Sequence, residues 1–224
     1  MKYYALIVAG GSGTRMGAAL PKQFLLLSGK PVLMHTIEAF HSSDLKPEIV
    51  LVLNIDFHPY WEKLCKEQDF NIPHKLVKAG RQRFHSVKNG LKDLKNQSII
   101  AVHDGVRPLI SNKLISDSFR EAALNGNAVC AVQASDSVRR LYGNFSEALN
   151  REEVFLVQTP QTFECGILKK AYKQPYRTEF TDDASVVEKA GIGIHLIPGE
   201  KSNLKITYPE DIRIAEVLLK EAEK

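Results

Sequence analysis

Residues 3–22 read YYALIVAGGSGTRMGAALPK, and the fold turns on how this stretch is parsed. Tyr3–Ala9 is a short, nearly continuous apolar run that stops at glycine, the signature of a buried strand. Three glycines, Gly10, Gly11 and Gly13, then fall within four residues, and Arg15 and Lys22 follow. Glycines let a backbone approach a ligand closely, and successive amides in such a turn can face an anion. Two familiar phosphate loops fail on spacing. A P-loop needs GxxxxGK and then Ser or Thr, which no glycine here supplies. A dinucleotide turn needs GxGxxG; Gly11 and Gly13 fit, but the next glycine, Gly17, comes one residue late. What remains is a glycine turn with two cations in reach, able to balance the charge of a phosphoryl transition state. Pro21 stiffens the chain before Lys22. A mobile surface turn with solvated charges is the competing reading.

Outward from this stretch, strand-like and helix-like segments alternate. The patterns predict strands at Glu48–Leu53, Ser98–Val102, Ala128–Val132, Val154–Val157 and Ile194–Ile197. They predict helices at Pro31–Phe40, Pro59–Gln68, His85–Leu94, Leu114–Leu124, Glu164–Lys173, Asp183–Ala190 and Pro209–Leu219. Apolar strands separated by amphipathic helices imply an α/β fold of Rossmann-like type, a mostly parallel sheet flanked by helices. Ligands of such sheets sit beyond the carboxyl ends of the strands. The glycine loop lies at one such end, and His103–Pro108 (HDGVRP) at another. Ser137–Arg151 breaks the rhythm, with Gly143-Asn144 at its middle, and reads as a protruding β-hairpin arm rather than a core layer, with a plain surface loop as the competing reading.

Bulk composition narrows the class. The 224 residues suit a single domain with a full core. With 30 basic against 26 acidic residues the net charge is only +4, and no basic stripe marks a nucleic-acid surface. Anionic small molecules fit better. Cys65, Cys130 and Cys165 are widely spaced, without CxxC or zinc spacing, and suit a reducing compartment. No signal peptide or membrane-spanning run is seen, so a cytoplasmic location is expected, with no membrane partner.

Six blocks in order carry a resemblance: AGGSGTRM with PKQF, AGRQRFHSV (79–87), VHDGVRP (102–108), QTPQTF (158–163), TDDAS (181–185) and NLKIT (203–207). Together they resemble the 2-C-methyl-D-erythritol 4-phosphate cytidylyltransferases, across almost the whole chain. The resemblance implies transfer of CMP from CTP to methylerythritol phosphate with Mg²⁺, giving CDP-methylerythritol and pyrophosphate. It places the triphosphate on Ala9, Gly10, Gly11 and Gly13, with Arg15 and Lys22 stabilising the transition state. It places cytosine by Gly80 and Arg81, helped by Ser86, and CTP also against Asp104 and Gly105. Asp104 then lies near ribose, acceptor and, as its one candidate ligand, the metal.

The acceptor site implied by the family maps to Asp104, Arg107, Ser137, Arg151, Thr159, Thr181 and Lys205, with Arg151 and Lys205 positioning the acceptor phosphate. The arm, residues 137–151, would exchange in a homodimer and help complete the neighbouring acceptor site. The chain departs from the family at Ala79, where Gly is usual, at Gly105-Val106, where Ala-Ala is common, and at Ser137, where Thr is more frequent. A phosphate monoester is already an anionic nucleophile, so positioning and charge neutralisation matter more than a base. His103 is accordingly read as a strand-end residue. Two rivals stand beside this reading. Ribitol 5-phosphate cytidylyltransferases share AGGxGTRMG, PKQF, TPQTF and HDxVRP, but TDDAS followed by VVE fits the methylerythritol family better. A non-catalytic nucleotide-binding protein would be expected to lose Arg15, Lys22 or Asp104, all of which are present.

Overall fold

A computed structural model describes residues 1–11 and 20–222. The first strand, β1 (Lys2–Ala9), ends at the glycine loop. Two short pairing strands, β2 (Leu26–Leu27) and β3 (Lys30–Pro31), lead into α1 (Val32–His41). There follow β4 (Glu48–Leu53), α2 (His58–Glu67), β5 (His74–Lys78), α3 (Arg83–Leu91), β6 (Ser98–Asp104), α4 (Asn112–Asn125) and β7 (Asn127–Gln133). The arm holds β8 (Arg139–Tyr142) and β9 (Phe145–Ala148); β10 (Phe155–Glu164), α5 (Cys165–Ala171), α6 (Asp183–Lys189), β11 (Leu196–Pro198) and α7 (Pro209–Ala222) complete the chain.

Seven strands form one sheet in the order β11-β7-β10-β6-β1-β4-β5. The β5-β4-β1-β6 half is parallel throughout, with Ile7 level with Leu51 on one side and His103 on the other. Strand β10 runs antiparallel between β6 and β7. The sheet is therefore mostly parallel, as the apolar strands imply.

Both faces are covered, which is why the strands lack polar alternation. Side chains of a strand point alternately to its two faces. On β1, Ala5, Ile7 and Ala9 join one core with α1, α2 and α4 through residues such as Leu33, Phe40, Trp61 and Phe119. Tyr4 and Leu6 join the other, with α3, α5 and α6 through Val87, Leu168 and Val187. Local signals set the helix ends. Ser111 Oγ accepts the Leu114 amide at the start of α4, and Gly126 closes that helix with φ +80°. Asp182 forms a capping box with Ser185 at the start of α6.

The strands differ from the sequence expectation at several places: β2 and β3 have no counterpart in it, and β11 begins at Leu196 instead of Ile194. HKLVK forms the edge strand β5, although its lysines hide it from a search for apolar runs; charge on an edge strand guards against pairing with another chain. The strand expected at Val154–Val157 continues to Glu164 through Pro160, with a register shift between Val157 and Gln161. Helix α3 begins at Arg83, two residues earlier than its apolar spacing predicts. The arm is a hairpin, with Tyr142 opposite Phe145 and Gly143 at φ +55° in the turn. No helix among the described residues is long and apolar enough to cross a membrane.

Candidate active site

The chain runs from β1 outward to β4 and β5, then returns to β6 on the other side of β1. This reversal opens a crevice between the carboxyl ends of β1 and β6, where ligands of doubly wound sheets bind. A cavity of about 580 Å³ occupies it, within the ordinary size range for small-molecule sites. Ala9, Gly10, Gly11, Lys22, Gly80, Arg81, Arg83, Ser86, Asp104 and Lys205 line its wall. The loops after β1, β5 and β6 and the NLKIT segment thus meet at one place. Gly13 and Arg15, expected here from the sequence, lie outside the described residues.

The nucleotide side of the wall is built by close backbone approach. A Cβ on Gly10 would stand 2.6 Å from the Ala79 Cβ, and one on Gly80 would stand 2.4 Å from the His85 Cβ and 2.7 Å from its carbonyl carbon. Neither position accepts a side chain without moving its neighbour. The Gly80 amide donates to Ser86 Oγ at 3.0 Å, and that hydroxyl donates to the Gln82 carbonyl at 3.1 Å. Ser86 therefore shapes the loop from the first turns of α3. Gln23, the third residue of PKQF, is buried and donates to the carbonyls of Ala9 (2.8 Å) and Gly11 (3.3 Å). It ties the Lys22 segment to the start of the glycine loop, a role its sequence context did not announce.

At the β6 end a charged cluster surrounds Asp104, which is 8 % exposed. Lys205 Nζ donates to its Oδ2 at 2.7 Å, Arg83 Nε stands 3.5 Å from its Oδ1 and Arg107 Nε 3.8 Å from its Oδ2. Burial would raise the Asp104 carboxyl, but Arg83, then Lys205 and Arg107, outweigh it and hold the group well below the usual carboxylate range. Its own amide donates to Thr159 Oγ1 at 3.0 Å. Arg107 is turned into the protein, giving Nη1 to the Asn203 carbonyl at 2.7 Å, and is not part of the cavity wall. Asn203 in turn donates to the Thr159 carbonyl, and the Ile206 amide to the Val106 carbonyl, so NLKIT is fastened beside Asp104. Gly105 donates its amide to the Val8 carbonyl at 2.9 Å, closing β6 onto β1.

His103 is fully buried, edge-on to Phe40, with Nε2 3.2 Å from the Arg107 carbonyl. Burial pulls its pKa down to about 4, so it is neutral and away from solvent. Five other expected residues stand apart from the cavity wall: Gly105 and Thr159 are buried beside Asp104, and the remaining three are exposed. Ser137 and Arg151 are exposed and bracket the arm, Arg151 donating to the Ser135 carbonyl at 3.4 Å, and Thr181 is exposed just ahead of α6. Arg83 and Asp183 form an ion pair at 2.6 Å that sequence reasoning missed. They are 100 positions apart, and the only trace was their place in the AGRQRFHSV and TDDAS blocks.

Chemically, the described wall offers glycine backbone, the cations Lys22, Arg81, Arg83 and Lys205 and one ionised carboxylate, Asp104, a setting for a polyanion. Among the described residues no group of three His, Cys, Asp or Glu side chains could hold a metal by itself.

Comparison with known proteins agrees with this chemistry. A family profile described as "IspD: 2-C-methyl-D-erythritol 4-phosphate cytidylyltransferase" matches residues 3–221. The chain is 47% identical over 215 residues to a 2-C-methyl-D-erythritol 4-phosphate cytidylyltransferase of Bacteroides fragilis, covering 96% of this chain and 98% of that one. It is 48% identical over 217 residues to the protein of the same name from Azobacteroides pseudotrichonymphae, with the same coverage. Among solved structures, it is similar to the 4-diphosphocytidyl-2C-methyl-D-erythritol synthase of Anaerococcus prevotii, with TM-score 0.84 and 27% identity over 98% of this chain and 96% of that one. The Francisella tularensis 2-C-methyl-D-erythritol 4-phosphate cytidylyltransferase gives TM-score 0.79 and 29% identity over 97% and 100%.

Proposed function

The chain belongs to the 2-C-methyl-D-erythritol 4-phosphate cytidylyltransferase family, and on that premise we propose how its cavity transfers CMP from CTP to 2-C-methyl-D-erythritol 4-phosphate in isoprenoid biosynthesis. The observation that carries the proposal is the meeting of the glycine loop, the Gly80 turn, Asp104 and Lys205 around one cavity at the sheet's switch point.

The acceptor phosphate attacks the α-phosphorus of CTP in line. A new P–O bond forms, the bond to the β-phosphate oxygen breaks, and pyrophosphate leaves. The monoester dianion needs no general base, in keeping with a His103 that is buried and neutral. The work is to bring two polyanions together. Ala9, Gly10, Gly11 and Gly13 cradle the triphosphate, while Arg15 and Lys22 lie on the charge that develops as pyrophosphate departs. Gly80 and Arg81 read cytosine from a loop whose shape Ser86 holds. Asp104 and Gly105 face the ribose. Asp104 and Lys205 face the acceptor, while Thr159 supports that side through the Asp104 amide and Arg107 through Asp104 and the Asn203 carbonyl.

The residues fit a divalent cation, Mg²⁺ in this reading. Among the described residues Asp104 is the one carboxylate on the wall, and it is ionised, as suits a hard cation that takes most of its oxygens from phosphates. Asp104 would hold it, and the cation supplies charge neutralisation between the two substrates when bound.

The chain acts as a single catalytic domain, residues 1–224, in the cytoplasm, with neither nucleic acid nor membrane as partner. The arm makes a homodimer. Every residue of β8 and β9 is exposed, including Leu141, Tyr142 and Phe145, and a two-stranded hairpin is marginal without something to pack on. Exchange of the arm would carry Ser137 and Arg151 to the acceptor site of the second chain, with Thr181 completing it. The test is the fate of labelled CTP. Label at the α-phosphate should appear in CDP-methylerythritol and label at the γ-phosphate in pyrophosphate. Binding of CTP with no transfer to methylerythritol phosphate would contradict the proposal.

A further inference from the structure

Arg83 joins two carboxylates of different standing. Its Nη2 donates to Asp183 Oδ2 at 2.6 Å and its Nε lies 3.5 Å from Asp104 Oδ1. Asp104 is on the cavity wall, whereas Asp183 has no exposed surface and cannot touch a substrate. The other oxygen of Asp183 accepts the Tyr172 hydroxyl at 2.6 Å. Tyr172 stacks on Phe84, the neighbour of Arg83, with ring centres 4.7 Å apart. Asp182, beside Asp183, caps α6 and accepts Gln161 Nε2 from β10 at 2.9 Å. The anchor is thus fixed by α3, the end of α5, α6 and β10. A carboxylate is costly to bury unless it is paired and hydrogen-bonded, and this one meets both conditions by holding Arg83. The planar, permanently charged guanidinium is the side chain that can span two carboxylates in fixed geometry.

Lys205 also holds Asp104, but its side chain is 41% exposed, and in the proposed reaction it turns to the acceptor phosphate. Arg107 is farther away, at 3.8 Å. Arg107 is anchored on a neutral carbonyl of Asn203, whereas Arg83 is the cation on Asp104 that is anchored on a second, buried carboxylate.

We propose that Arg83 is a positioning residue for cytidylyl transfer: anchored from behind by Asp183 and Tyr172, it fixes the Asp104 carboxylate in the orientation that the reaction uses. The inference rests on the reading of Asp104 as a group that touches substrate or cation.

A double-mutant cycle tests it, with wild type, Arg83→Gln, Asp104→Asn and the pair assayed with CTP, Mg²⁺ and methylerythritol phosphate, and Asp183→Asn and Tyr172→Phe alongside. Arg83→Gln and Asp183→Asn are expected to lower kcat roughly 10- to 100-fold, the cost of a misplaced group, while the KM for CTP changes little. In the Asp104→Asn background Arg83→Gln should cost almost nothing more. Tyr172→Phe, which keeps every charge, should lower kcat by a smaller factor, again at unchanged KM. Thermal unfolding is followed for each variant, and if the charge variants do not fold, Tyr172→Phe carries the test. An Arg83→Gln loss of equal size in both Asp104 backgrounds, or wild-type kcat in a folded Asp183→Asn or Tyr172→Phe, overturns the proposal. Wild-type protein that makes no CDP-methylerythritol would instead overturn the function on which it rests, and is read before any variant.

Discussion

At the switch point Asp183 and His103 have no exposed surface and Asp104 is 8 % exposed, yet ion pairs and hydrogen bonds from the same chain hold all three. On the arm the distribution is reversed. Leu141 is 73% exposed and Phe145 82%, and the cross-strand bonds of a four-residue ladder join β8 to β9. The switch point buries charge and pairs it within one chain. The arm exposes apolar surface and is completed, in the proposed dimer, by another. In the proposed reaction the sheet end supplies the nucleotide contacts and the acceptor contacts Asp104 and Lys205, and the arm of a second chain would add Ser137 and Arg151 to them.

The largest effect is expected where the switch point does chemistry. Lys22→Ala should lower kcat roughly 10³-fold, the scale for loss of one preorganised transition-state contact, while calorimetry still registers CTP binding. Full rate with CTP bound would remove Lys22 from the mechanism.

The buried titratable groups predict a pH signature that the arm cannot share. Burial lowers His103 from its ordinary 6.5 to about 4, so between those values the unfolded chain binds more protons than the folded one. Stability is then fully present above pH 6.5 and declines by roughly 3 kcal/mol as pH falls to 4. Asp104, held below the usual carboxylate range by Arg83, Lys205 and Arg107 against its burial, adds stability that is present above its unfolded value and is lost at still lower pH. Urea unfolding across pH 7 to 4 measures the His103 slope. His103→Gln should flatten it, and an unchanged slope in that variant would assign the titration elsewhere.

The arm predicts a smaller, different loss. Leu141→Asp with Phe145→Asp should convert the dimer to monomer in sedimentation and lower kcat/KM for the acceptor about 30-fold, the worth of one charge-assisted contact, with KM for CTP unchanged. A fully active monomer would end the shared-site account. Smallest of all, Leu141→Ala should shift monomer stability by less than about 0.5 kcal/mol, as for other exposed positions.

The same contrast governs what the sequence could disclose. The doubly covered sheet was legible because EIVLVL and SIIAV have no polar alternation, and the arm because Gly143-Asn144 interrupts the βα rhythm. β5 was hidden because an edge strand carries lysines, and the length of β10 because Pro160 stands inside it. At the site, Ala9, Gly80, Asp104 and Lys205 lie in blocks readable along the chain, and the structure brings them to one cavity. The Arg83–Asp183 bridge was not readable, since no local pattern couples residues 100 positions apart. Gln23 was missed for a related reason, because a buried amide serving two carbonyls looks in sequence like any surface glutamine.

Pyrophosphate release from CTP and Mg²⁺, with methylerythritol 4-phosphate or ribitol 5-phosphate each supplied alone as the acceptor, decides which polyol phosphate the cavity serves. The account predicts release with methylerythritol 4-phosphate and little with ribitol 5-phosphate. Turnover of ribitol 5-phosphate alone would contradict it.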